Sequence, residues 1–171
     1  MLKELKTKEV VFLCRKESML ILVLFSFLSS SLYAKECAHD AENFRCVKYL
    51  RNYDADTVTF NIPNLHPLIG KKVNVRVAGV DTPEIRTKNK CEKSKGKRAK
   101  DIVSKLLKNA KRIDLSKVRR GKYFRIVADV VVDGTSLSEL LLKSGFAYAY
   151  DGGTKKKVDW CKPLRSVASD E

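Results

Sequence analysis

From Lys72 to Val80 apolar and polar side chains alternate, and the run stops at Asp81-Thr82-Pro83-Glu84. In an extended chain Val73, Val75 and Val77 share one face, and Asn74, Arg76 and Ala78 share the other. Such a strand buries its valines in a core and carries Arg76 away from them. Pro83 excludes helical backbone at Thr82, so the acidic segment is an extended turn at the strand's end.

The flanking segments read in the same way. Val47–Tyr53 and Thr57–Ile62 are strands joined by the acidic bend Asp54-Ala55-Asp56. Pro63, Pro67 and Gly70 mark a loop. Residues 86–98 form a basic loop, and Ala99, Ile102, Val103, Leu106, Leu107 and Ala110 then recur at helical spacing. Arg112–Val118 and Tyr123–Val132 are two further strands around Arg119-Arg120-Gly121. Ser136 and Glu139 have capping-box spacing for a short helix ending at Gly145. Phe146–Tyr150 reads as extended and Gly152–Lys157 as a loop. Five strands, with one helix after the third and another after the fifth, fit an α+β, mainly β fold. The expected architecture is an OB-type five-stranded barrel with helices packed outside it.

The ends differ from this domain. Met19–Leu28 is almost entirely apolar, follows Arg15 and Lys16, and precedes small residues up to Ala34. That is the layout of a secretory signal, and the stretch is shorter than the roughly 20 residues of a membrane-spanning helix. Residues 1–34 are therefore expected to be a signal peptide, or a membrane anchor if uncleaved, and Met19 is an alternative start. Residues 35–46 are a leader, 47–162 the domain, and 163–171 a mobile tail. Beyond residue 34 lie Cys37, Cys46, Cys91 and Cys161, an even number that suits disulfides in an oxidising compartment. Four cysteines allow three pairings, and the reading favours Cys37–Cys46 and Cys91–Cys161. Without a Cys-x-x-Cys pair, and with His39 and His66 at no ligand spacing, zinc is not expected. The protein is exported on this reading, to the periplasm, the cell surface or the medium.

The formal net charge of +15 over 171 residues asks for a polyanionic partner, nucleic acid or an anionic membrane surface. Lysines that serve solubility alone are the plainer alternative. Within this basic chain, Asp56 and Asp81 stand at strand ends, where carboxylates can converge on a hard cation with the Thr82 carbonyl. Glu84 lies close enough to orient or deprotonate a water. Arg76 and Arg125 offer planar forks that match phosphate oxygens. Taken singly, each is an ordinary turn or surface residue. Together they carry the requirements of phosphodiester cleavage: an activated water and neutralisation of the phosphoryl charge.

Asp54-Ala55-Asp56-Thr57, Arg76 through Asp81-Thr82-Pro83-Glu84, and Tyr123-Phe124-Arg125 resemble, in order and spacing, the staphylococcal (thermo)nuclease family. The resemblance runs from about Val47 to Trp160. It implies a calcium-dependent endonuclease on an OB-type barrel that hydrolyses DNA and RNA and leaves 3′-phosphate ends. Asp56, Asp81 and the Thr82 carbonyl would hold Ca²⁺. Glu84 would be the general base or water-orienting residue, and Arg76 and Arg125 would stabilise the five-coordinate phosphate. Lys122 and Tyr123 fall where the family contacts a terminal phosphate and a base; Tyr148 and Tyr150 are both candidates for a nucleotide-contacting tyrosine of the family, and the reading favours Tyr150.

Ala55 and Phe124 replace glycines of the family pattern. Alanine would strain the acidic turn if that position needs positive φ, and Phe124 would either crowd the site or stack on a base. A nucleic-acid-binding module with weak or no catalysis is the alternative function. The retained carboxylates and arginines argue against it. The basic loop 86–98 is either a phosphate-tracking surface or a solvated loop. No stable protein partner is implied, a monomer is expected, and a membrane is involved only if residues 19–34 remain as an anchor.

Overall fold

The structure, a computed structural model, describes residues 36–122, 125–155 and 157–162. The described residues from His39 onward belong to one compact unit, and residues 36–38 fall outside it. The expected signal segment and tail lie outside the described residues, as do Tyr123 and Phe124. Among the described residues no helix is long and apolar enough to cross a membrane.

The fold is α+β and mainly strands. In chain order it runs β1 (Lys48–Asn52), β2 (Thr57–Asn61), α1 (Pro67–Gly70), β3 (Val73–Val77), β4 (Val80–Asp81) and α2 (Lys90–Asn109). It continues with β5 (Ile113–Arg120), β6 (Ile126–Val132), β7 (Thr135–Ser136), α3 (Leu137–Lys143) and β8 (Tyr148–Ala149). The main sheet is ordered β1-β2-β3-β6-β5, with β7 added on β6, and β4 and β8 form a separate pair. All pairings are antiparallel except β3 with β6.

The strand path is open, because no ladder joins β1 to β5. The segment just before β1 runs beside β5 instead. Phe44 and Leu115 exchange both backbone bonds, at 2.8 Å each, and Val47 N–H donates to the Ile113 carbonyl at 2.9 Å. Part of the expected irregular leader is thus an element of the domain wall.

The alternation of β3 is borne out. Val75 and Val77 are fully buried while Asn74 is exposed on the other face. They join Val58, Phe60, Leu115, Val130, Val103, Leu137 and Leu141 in one core between the sheet and α2 and α3. Truncating a side chain as buried as Phe60 to alanine costs on the order of 3–5 kcal/mol.

Two local expectations are corrected. The basic stretch 86–98 is not all loop, since α2 begins at Lys90. Asn89 caps it by accepting from the Glu92 N–H at 3.1 Å, and Gly96 and Ala99 are its buried face in the first turns. Small residues and lysines give no apolar periodicity, which hides these turns from a sequence reading. The capping box of α3 also fails to form. Ser136 caps nothing with its side chain, whose hydroxyl bonds Ser138 at 2.8 Å. At the other end Gly145 does its expected work. Its φ is +67°, and the Gly145 and Phe146 N–H groups reach the Leu142 and Leu141 carbonyls.

Candidate phosphodiester-cleaving site

The site forms where the two acidic turns meet. Pairing of β2 with β3 sets Thr57 opposite Arg76 and therefore places Asp56 beside the arginine. Gly79, at φ +77°, turns the chain from β3 into β4 and delivers Asp81 to the same place. Arg76 then spans the two carboxylates. Its Nη1 donates to Asp56 Oδ1, and its Nη2 donates to Asp81 Oδ1 at 2.6 Å.

Asp56 is almost sealed, at 1 % exposure. Its Oδ2 accepts from the Thr82 N–H at 2.9 Å and the Thr82 hydroxyl at 2.8 Å, and Thr57 donates to Oδ1. Burial pushes its carboxyl up to about 7; the nearby Asp54 adds to this, while Arg76 and Thr82 oppose it. Arg76 itself is raised: burial pulls it down, but the charges of Asp56 and Asp81 prevail. At Asp56, then, desolvation outweighs the ion pair.

Asp81 is the meeting point of three elements. Tyr148 on β8 donates to its Oδ2 at 2.9 Å, and Lys155 Nζ lies 3.0 Å from its Oδ1. The same amine lies 3.0 Å from Glu84 Oε1. These contacts raise the Lys155 pKa against the pull of its partial burial. Glu84 is placed by α2. Its N–H donates to Glu92 Oε1 at 3.3 Å, and the helix approaches so closely that a Cβ on Gly96 would stand 2.7 Å from the Pro83 carbonyl oxygen.

Arg76, Glu84, Arg125, Lys122 and Tyr150 all line one cleft of about 700 Å³. Arg119, Arg120 and Lys155 line it too, so six cations face Asp54, Glu84 and Asp151. Lys122 Nζ donates to the Gly152 carbonyl at 3.3 Å and Tyr150 OH to the Gly153 carbonyl at 2.8 Å, both on the cleft's far lip. Asp56 lies behind the cleft floor, and Asp81 and Thr82 line a smaller adjoining recess with Glu84 and Lys155. Tyr123 lies outside the described residues.

Cys91 and Cys161 are bonded to each other, as expected, and Cys37 and Cys46 are each disulfide-bonded. Ala55 has no positive φ, so it does not strain the acidic turn; its methyl is buried in the core.

The sequence alone does not single out Lys155, Glu92, Arg119 or Arg120 for the site, and Tyr148 joins it through Asp81 rather than as a nucleotide contact. The arginine pair beside a turn glycine was the one signal available; Lys155 and Glu92 are single charges among many.

The donor chemistry suits a hard divalent cation. Asp54, Asp56 and Asp81 are all buried carboxylates, and Asp56 and Asp81 pair with the partly buried Arg76; oxygen-only ligation is what Ca²⁺ or Mg²⁺ prefers. Among the described residues no three His, Cys, Asp or Glu form a ready cage. Asp56, Asp81 and Thr82 are the residues that would hold such a cation. A cation there competes with Arg76 and Lys155 for the same oxygens.

Residues 74–167 match the family described as Staphylococcal nuclease homologue. The chain is 42% identical over 91 residues to Endonuclease YncB of Bacillus subtilis (strain 168), covering 50% of this chain and 43% of that protein. It is 38% identical over 128 residues to the SPbeta prophage-derived endonuclease YokF of the same organism, covering 71% of this chain and 40% of that protein. It is 30% identical over 131 residues to the Thermonuclease of Staphylococcus hyicus, covering 76% and 74%. The chain thus spans less than half the length of the two Bacillus relatives and about three-quarters of the Staphylococcus one. Arg76, the Asp81–Glu84 turn and Arg125 fall inside residues 74–167, while Asp56 precedes them, and the chain belongs to the staphylococcal nuclease homologue family.

Proposed function

We propose that the protein is an exported endonuclease that hydrolyses phosphodiester bonds of DNA and RNA with Ca²⁺, leaving 3′-phosphate and 5′-hydroxyl ends. The observation that carries this reading is Arg76 held across Asp56 and Asp81 at the edge of a cationic cleft that also holds Arg125 and Glu84.

The six cations attract the strand and offset its backbone charge. Glu84, half-exposed at the cleft edge, takes a proton from the attacking water. Arg125 and the remaining N–H groups of Arg76 hold the phosphate oxygens, where negative charge builds in the transition state. The bridging carboxylates keep Arg76 from turning, so its donors are set before the substrate arrives. Asp56, Asp81 and Thr82 would hold Ca²⁺, which supplies Lewis-acid polarisation of the phosphate and a more acidic water. The 5′ oxygen leaves as the water oxygen bonds to phosphorus, and it takes up a proton from solvent to become the 5′-hydroxyl end. Tyr150 and Lys122 sit on the lip as strand contacts.

The test is digestion of single-stranded DNA and of RNA by the purified protein, with Ca²⁺ and with a chelator, and with Glu84→Gln in parallel. Calcium-dependent cutting that the variant loses, yielding 3′-phosphate ends, is the expected result. Binding without cutting in any divalent metal would assign a non-catalytic binding module instead.

A further inference from the structure

A second groove, of about 630 Å³, lies between the start of α2 and the C-terminal segment. Lys90, Lys95 and Arg98 line it from α2 and Lys162 from the opposite wall; among the described residues no carboxylate lines it. Among the described residues Lys90, Lys95 and Arg98 make no ion pair, while Lys162 has only an exposed contact to Asp159 at 3.6 Å. The floor is Trp160, at 7 % exposure, with Lys95 Nζ held 5.6 Å over its ring. The Cys91–Cys161 disulfide ties the two walls together.

The groove is continuous with the candidate site. Trp160 lines both this groove and the recess of Asp81 and Thr82, and that recess shares Glu84 and Lys155 with the main cleft. The connecting recess carries Lys155 and Lys157 beside Asp81, Glu84 and Glu92, and the cationic lining resumes at Lys95 and Lys162.

We propose that this groove is a second binding site for single-stranded nucleic acid, engaging the sugar–phosphate backbone of the strand beyond the bond being cut. The proposal rests on the nuclease reading above. A cationic groove fits a polyanion, and Lys95 and Arg98, three residues apart, stand side by side on α2. Trp160 is too buried to stack on a base, so the groove does not read sequence. Its contribution is affinity that falls with salt and grows with strand length. Three phosphate contacts correspond to a salt slope of about 2 for a single strand.

The experiment compares the full protein with the triple variant Lys90→Gln/Lys95→Gln/Arg98→Gln. Anisotropy measures binding of a labelled twenty-nucleotide strand and of a four-nucleotide strand, in chelator, across a salt series. Circular dichroism and thermal unfolding check that the variant is folded. The expected result is a loss of tenfold or more in affinity for the long strand, a salt slope smaller by about 2, and a much smaller loss for the short strand. Unchanged affinity and slope in a parent that does cut DNA overturns the groove and leaves the nuclease standing. A parent that binds but never cuts, with the variant losing the long strand, keeps the groove and overturns the nuclease. Anionic lipid vesicles are run alongside. Loss of vesicle binding with DNA binding intact overturns the proposal in favour of a membrane surface.

Discussion

Thr82 holds Asp56 twice, by its backbone N–H at 2.9 Å and its hydroxyl at 2.8 Å, across 26 residues of sequence. The buried carboxylate is thereby fixed from a different turn. Thr82→Val keeps the shape and the N–H but removes the hydroxyl. It is expected to cost about 1–3 kcal/mol of stability and to weaken Ca²⁺ binding, measured by calorimetry. Unchanged Ca²⁺ affinity would show that the hydroxyl does not position Asp56.

Glu84 and Arg125 are exposed, so their loss leaves the core intact. Glu84→Gln should lower kcat by about 10²–10⁴-fold, the range of general acid–base catalysis. Arg125→Ala should lower it by about 10²–10³-fold through lost charge stabilisation. Both should unfold at the parent's temperature. Near-normal turnover in either variant would remove that residue from the mechanism.

Gly96 lets α2 come down on Pro83, and a Cβ there would meet the backbone oxygen at 2.7 Å. That oxygen cannot swing aside as a side-chain tip could. Gly96→Ala is expected to shift the helix from the acidic turn and misplace Glu84, at a cost of up to about 10²-fold in kcat. A fully active alanine variant would show that the turn tolerates the displacement.

Burial raises the Asp56 carboxyl to about 7, from the ordinary aspartate value of about 3.9. Between these values the unfolded chain holds fewer protons than the folded one, so stability falls as pH rises from about 4 to 7. In Asp56→Asn this contribution is gone. In chelator the parent should lose about 1–3 kcal/mol relative to the variant between pH 5 and pH 8, as read from urea unfolding. Parallel pH profiles would place the proton elsewhere.

Cys91 and Cys161 close a loop with a sequence separation of 70. The chain-entropy relation gives about 4 kcal/mol for a loop of this size. Cys91→Ser/Cys161→Ser should fall in stability by up to that amount. It should also bind the long strand more weakly, because one wall of the second groove is released. A drop in stability with unchanged strand binding would make the link purely structural.

The local elements follow from sequence because their causes are local. Alternating valines in β3, β-branched residues in β2, a positive-φ glycine after α3, and Pro83 in the acidic turn each act within a few residues. The motif order also placed Asp56, Arg76, Asp81, Glu84 and Arg125 in one site, since strand pairing brings strand ends together. Other features depend on partners far away in the chain. Lys155 belongs to the site because the segment after β8 returns to Asp81 and Glu84, and nothing in a run of lysines marks one of them for that. The first turns of α2 are helical because Gly96 and Ala99 fit under the turn at Pro83, a close approach that leaves no apolar signature. The edge of β5 is met by residues 44–47 rather than by β1, because backbone groups pair with whatever segment the fold sets beside them. What acts over a turn or a strand was determined by sequence; what depends on which burial and which charge meet across the core was decided by the tertiary structure.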